Sequence, residues 1–267
     1  MDDLVDEASN TQSAEEALAI IESFIDKTAS DPLGYHSTPD TFSYQDRSTF
    51  MLLPPLLHYI PVNQFTQLLQ GFKTDIQFFK AANISEFPIQ TENDLVQYCE
   101  CVASTVGRMF VYATWNAESA YPVSTCRQEW VLKHATKMGI ALQLINVARD
   151  IIQDARNGRL YVPLDWAKSL EERAELDELV NNPDSPAAAS AARKYSLRLV
   201  QMARFYYNLA VTALDSLPSD CIKGARLAVD VYMGIGEEIL KRHGDVSQRV
   251  SLSRIQRMEI ALKVLYK

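Results

Sequence analysis

Apolar residues recur at intervals of three and four through most of the 267-residue chain, and that spacing predicts a succession of amphipathic helices. Ala17, Leu18, Ile21, Phe24 and Ile25 form one face between Glu15 and Ala29. Residues 45–59 and 62–80 read as two further helices, punctuated by Pro54, Pro55 and Pro61. A turn-rich connection spans Asp31 to Asp40, and a loop surrounds Ile84 to Pro88. From Glu92 to Glu118 the pattern is apolar nearly all round, as expected of the central helix of a bundle. Gly107 within it suits close helix contact. A long helix begins near Arg127 and stops at Gly158, with Pro163 preventing its resumption. A short acidic helix (Trp166 to Val180), a flexible loop (Asn181 to Ala187), two helices near 188–217 and 222–242, and a last helix (Ser253 to Tyr266) complete the chain. Strand alternation is nowhere sustained. The expected fold is all-α, a single helical bundle over residues 1–267.

On the long helix, Gln143, Asn146, Asp150 and Asp154 fall on one narrow stripe, with Arg149 on its flank and apolar residues over much of the remainder. Carboxylates at i, i+4 repel unless a cation lies between them. Periodicity alone leaves two readings of this stripe: a solvated polar face, or half of a cation site. A second acidic pair at helical spacing, Asp2 and Asp6, stands at the start within Asp2-Asp3-Leu-Val-Asp6-Glu7. That start is either a charged terminus or the cut end of a longer protein.

The net charge of −8 and the lack of a basic run argue against a nucleic-acid partner. Cys99, Cys101, Cys126 and Cys221 have no zinc-ligand spacing, and reduced, mostly buried thiols are expected of an intracellular protein. No signal peptide is visible. The apolar run Phe50 to Ile60 is too short for a bilayer and broken by two prolines. Two acidic pairs in an all-helical chain suit Mg²⁺ shared with a diphosphate, since Mg²⁺ takes oxygen ligands from one or two carboxylates and from phosphate.

The motifs go further. Asp2 to Glu7 resembles the first aspartate-rich motif of the squalene/phytoene synthase family. Gln143 to Pro163 resembles the second, including the Gly-Arg-x-Tyr-x-Pro tail at Gly158, Arg159, Tyr161 and Pro163. Tyr98-Cys99 through Gly107 is similar to the family's Tyr-Cys helix, and Gly71 to Asp75 to the acidic-ended helix before it. The similarity runs in order along the whole chain and is greatest to phytoene synthases, of the fungal kind fused to a lycopene cyclase.

The resemblance implies an isoprenoid-synthase-type bundle around a central cavity and head-to-head condensation of two geranylgeranyl diphosphates to phytoene via prephytoene diphosphate. It implies Mg²⁺, with Mn²⁺ as an alternative, on Asp2, Asp6, Asp150 and Asp154. Arg149, Tyr232 and Arg249 would donate to diphosphate, Gln143 and Asn146 would orient substrate or metal-bound water, and Tyr98 would line the cavity with Val102, Val106 and Phe110. Peripheral membrane contact, or fusion to a membrane domain, is expected with it. Ser104, Ile152 and Gln153 depart from the family pattern; Ser104 is expected to narrow the cavity. The basic and tyrosine residues expected before the first motif are absent, as in a chain truncated at its N-terminus. Squalene or dehydrosqualene synthesis from farnesyl diphosphate and a non-catalytic assembly factor are the rival readings.

Overall fold

The computed structural model describes residues 11–31, 43–117 and 124–266, and among these every regular element is helical. The acidic start, with Asp2 and Asp6, and most of the Asp31 to Asp40 connection lie outside the described residues.

The longest element, α7 (Thr125–Arg156), is built from its ends inward. Ser124 caps its first turn by accepting from the Arg127 amide. Its last turn closes in a Schellman motif: Gly158, at φ +72°, donates to Ala155 O at 2.9 Å, and Arg159 donates to Asp154 O at 2.9 Å. A positive φ at this point suits Gly and strains other residues. Between these ends, Leu144, Ile145, Ala148, Ile151, Ile152 and Ala155 are buried. Against this face lies α9 (Pro186–Ala210), whose Ala188, Ala191, Ala192 and Ala203 let the two backbones approach. On the same helix pack α8 (Leu170–Asn181) and α10 (Ser219–Lys241). The final helix, α11 (Arg254–Leu265), packs on α10 and opens with a capping box between Ser253 and Gln256.

A second cluster joins α1 (Thr11–Ser30), α2 (Tyr44–Phe50), α3 (Leu53–Leu57) and α4 (Val62–Lys80). Phe24 meets Phe50 edge to face at 5.3 Å, among Ile21, Ile25, Phe65, Leu69 and Phe72. Residues 45–59 therefore form two short helices where one is expected, because Pro54 and Pro55 start a new helix and cannot continue an old one.

The expected helix from Glu92 is also divided. It runs as α5 (Glu92–Cys99), a π-helical turn (Glu100–Ser104) and α6 (Thr105–Ala117). A π turn changes which side of the axis later residues occupy. Upstream, Leu95 and Cys99 are fully buried, whereas Val106 and Phe110 downstream are 52% and 42% exposed and face a cavity. The apolar circumference thus serves a core on one side and a cavity on the other, and the central helix is α7.

The π turn lies between α4 and α7 at very short range. A Cβ on Gly139 of α7 would stand 2.4 Å from Ser104 Cα, and one on Gly71 of α4 would stand 2.3 Å from Val102 Cγ1. Gly107, as expected, brings α6 within 3.3 Å of the Ala135 carbonyl by the same measure. Ser104 does not narrow the cavity: it is buried, and its hydroxyl donates to Thr136 O at 2.7 Å on α7.

Other boundaries shift modestly. The acidic helix begins after Ser169, which caps it, and Leu164–Trp166 is a separate 3₁₀ turn. The Asn181 to Ala187 segment is short and tied down, with Ser185 capping α9 and Arg156 pairing with Asp184. Of the thiols only Cys99 is buried; Cys126 is exposed and the others are intermediate, and none is in a disulfide.

Gly139→Ala should destabilise the protein by about 2–3 kcal/mol, since its methyl meets backbone that cannot move alone. Gly224→Ala, where a Cβ meets nothing within 4 Å, should gain up to about 1 kcal/mol from helix propensity. Urea unfolding of both variants checks the pair.

Candidate active site

Two cavities meet between α4, the π turn, α6, α7 and α10. One, of about 640 Å³, is walled by apolar residues including Val102, Val106, Phe110, Val131, Met138, Leu142, Leu214 and Ala228. The other, of about 650 Å³, is lined by Asp75, Tyr98, Gln143, Asn146, Arg149, Asp150, Asp154, Arg159, Tyr161 and Arg249. Val102, Val106, Gln143 and Asn146 border both, so a polar chamber opens into an apolar one. The helical period brings this about. The stripe of Gln143, Asn146, Asp150 and Asp154 faces the polar chamber, and its continuation toward the helix start, through Ala135, Met138 and Leu142, faces the apolar one.

Within the polar chamber, Asp150 is held by two arginines. Arg149 Nε donates to Asp150 Oδ1 at 2.9 Å, with a second contact from its Nη2 to Oδ2, and Arg249 Nε donates to Oδ1 at 3.1 Å. Asp154, one turn on, faces the same space. Burial raises its carboxyl most, the Asp150 charge adds to this, and Arg159 and Arg149 oppose, leaving it at about 7. Asn146 donates through Nδ2 to Gln143 Oε1 at 3.2 Å, while its buried Oδ1 has no hydrogen-bond partner. A buried carbonyl oxygen without a donor is costly by itself.

The chamber floor holds a group that neither periodicity nor spacing reveals. Buried Asp75 accepts from Tyr161 at 2.6 Å and from Tyr98 at 3.3 Å, and the two phenol rings stack at 4.8 Å between centroids. Burial first, then Asp75 and the neighbouring phenol, hold Tyr98 well above the ordinary tyrosine value. Tyr98 therefore lines the polar chamber, with its hydroxyl engaged on Asp75, and is absent from the apolar wall on which Val102, Val106 and Phe110 do lie. Tyr232 borders the apolar cavity, near enough to Arg149 to influence its charge. Arg159 is a further basic group of the chamber, lying over the Phe79 ring at 5.1 Å. Its membership of the Gly-Arg-x-Tyr-x-Pro tail was the available signal.

The donors exposed to the chamber suit a hard divalent cation. They are oxygens, two are carboxylates that repel across one helical turn, and the Asn146 oxygen beside them has no partner. Among the described residues no group of three or more His, Cys, Asp or Glu could hold a metal ion, so a metal on Asp150 and Asp154 would need further ligands. Asp2 and Asp6, the expected complement, lie outside the described residues.

Residues 1–256 match the model of the squalene/phytoene synthase family. A bifunctional lycopene cyclase/phytoene synthase of Phaeosphaeria nodorum is 33% identical, covering 100% of this chain and 44% of the relative. Another, of Phaffia rhodozyma, is 34% identical over 81% of this chain and 36% of its own length. The chain thus spans less than half of these relatives. Among solved structures, a dehydrosqualene synthase in complex with ligand has a TM-score of 0.65 at 19% identity, covering 99% of this chain and 81% of that one. Squalene synthase HpnC from Alicyclobacillus acidocaldarius has 0.61 at 16%, covering 86% and 74%. These likenesses identify the isoprenoid-synthase helical fold.

The folded chain holds a proton on Asp154 over a range in which the unfolded chain has lost it. The contribution of Asp154 to stability without metal should therefore fall as pH rises from 3.8 to about 7 and level off above. Asp154→Asn should raise the thermal midpoint more at pH 8 than at pH 5, and a midpoint series with and without the substitution measures this.

Proposed function

Because the chain belongs to the squalene/phytoene synthase family, a family of prenyltransferases, we propose that it joins two geranylgeranyl diphosphates head to head, giving phytoene through prephytoene diphosphate. The observation that carries this reading is the continuity of a basic and acidic chamber with an apolar one across Gln143 and Asn146. An isoprenoid diphosphate has the same two parts.

The chain's own groups divide the work. Arg149, Arg159 and Arg249 are donors for diphosphate oxygens, with guanidinium geometry suited to two oxygens at once. Tyr232, at the apolar side of Arg149, adds a hydroxyl toward the same end. Asp150 and Asp154, with Asp2 and Asp6 of the first motif, would hold Mg²⁺ or Mn²⁺, which when bound supplies positive charge for the departing diphosphate. Gln143 and Asn146 stand at the neck and orient the C1 end of the substrate. Beyond them Val102, Val106, Phe110, Met138 and Leu142 keep water from the allylic cation left behind.

Chain length has a physical correlate. Cavity-lining residues of α7 run from Val131 to Asn146, about 22 Å at 1.5 Å per residue. A geranylgeranyl chain drawn out at ordinary bond lengths spans about 20 Å. Supplying each labelled diphosphate with Mg²⁺ tests the choice: a C40 product from geranylgeranyl diphosphate is expected, and product from farnesyl diphosphate alone would overturn it in favour of squalene-type synthesis. Asp150→Ala should cut turnover by about two to three orders of magnitude with the helical circular dichroism unchanged. Full activity in that variant would point to a non-catalytic role.

A further inference from the structure

Near the end of α4 two phenylalanines stand side by side. Phe78 is buried, whereas Phe79 is 47% exposed. Asp75, Phe78 and Phe79 are spaced as i, i+3 and i+4 and so share a face of this helix. All three meet the segment that follows α7. Asp75 accepts from the Tyr161 hydroxyl at 2.6 Å, and Phe78 meets the Tyr161 ring edge to face at 5.1 Å. The Arg159 guanidinium lies over the Phe79 ring, 5.1 Å from its centroid.

The match has a geometric origin. From Asp75 to Phe79 the helix rises about 6 Å. Residues 159–161 belong to no helix, and they alternate as extended chain does: Arg159 and Tyr161 line the polar chamber, while Leu160 between them is buried in the core. Two residues of extended chain advance about 6.6 Å. One turn of α4 is therefore in step with the two side chains that the segment sends into the chamber.

Arg159 is drawn two ways. Its charge acts on Asp154 and on Tyr161, both of the chamber. The π face of Phe79 attracts the same guanidinium. Phe79 itself lines neither of the two cavities. We propose that Phe79 is a positioning residue, holding the Arg159 guanidinium where it can donate to a diphosphate in the polar chamber. It touches no part of the ligand and acts through Arg159. This role rests on Arg159 being a diphosphate donor, as in the function proposed above. A ringless apolar residue at 79 keeps bulk at the surface and loses the attraction, whereas tyrosine keeps both.

Calorimetric titration of the intact chain with pyrophosphate in the presence of Mg²⁺ tests the proposal as a double-substitution cycle. Phe79→Leu should weaken binding about two- to fivefold, as the loss of a partly exposed cation–π contact does. Phe79→Tyr should bind within about a factor of two of the parent. Arg159→Gln should weaken binding about tenfold or more, through the loss of a charge-assisted donor. In that background Phe79→Leu should change nothing further, because the group through which Phe79 acts has gone. Helical circular dichroism verifies folding, and Phe79→Met, also ringless, replaces the leucine variant if that one unfolds. Equal loss with and without Arg159, no loss in either background, failure of tyrosine to retain binding, or absence of pyrophosphate binding would each overturn the role of Phe79. Turnover of geranylgeranyl diphosphate is read separately. Coupling without turnover supports the positioning role while overturning the proposed function, and turnover without coupling overturns the positioning role alone.

Discussion

The close approach of Gly139 to the Ser104 backbone sets the spacing of the elements around the site. It presses α7 onto the π turn, and both cavities open along the line where these elements part. Gly71 repeats the device from the other side, so the turn is clasped between α4 and α7 with little room for a methyl group. Ser104 Oγ on Thr136 O and Arg108 bonded to Gln64, Gln67 and Thr136 then tie α4, α6 and α7 together beside the cavity. On the function proposed above, rigid walls of this kind would keep a reactive cation away from water without the protein having to close over it.

Much of this was legible in the residue order. Helical periodicity located the amphipathic elements, and Gly158 marked the stop of α7, because those signals are local. The stripe from Gln143 to Asp154 was legible for the same reason, and the chamber it faces follows from it. Contacts between distant segments were not. Asp75 meets partners 23 and 86 residues away, a pairing that only the packed fold determines. The π turn was equally hidden, since no residue type encodes one, and missing it made the Glu92 to Glu118 stretch look like a core helix. Ser104 was misjudged accordingly: a small polar residue in an apolar run looks like a cavity feature until its carbonyl partner on α7 is known. Adjacent Phe78 and Phe79 read alike in sequence, and only the packing makes one buried and the other wet.

The electrostatics of the chamber divide the two acids that the sequence presents as equals. Asp150 is surrounded by guanidinium groups, while Asp154 lies deeper and is pushed toward neutrality. Identical residues one turn apart thus have different surroundings, and for Asp154 desolvation dominates. In the absence of other ions the pair carries less negative charge than its formal count.

Arg249 gives this arrangement a further significance. It reaches Asp150 from the segment between α10 and α11, and its side chain is 71% exposed. Its partner there is the very carboxylate that a divalent cation would take. On the function proposed above, ligand entry at this point would be an exchange of counterions: Asp150 would pass from guanidinium to metal, and the guanidinium from carboxylate to phosphate. Asp150 and Arg249 would each have a partner before and after. A polar chamber organised in this way can admit a strongly anionic molecule without ever holding a naked cluster of one sign.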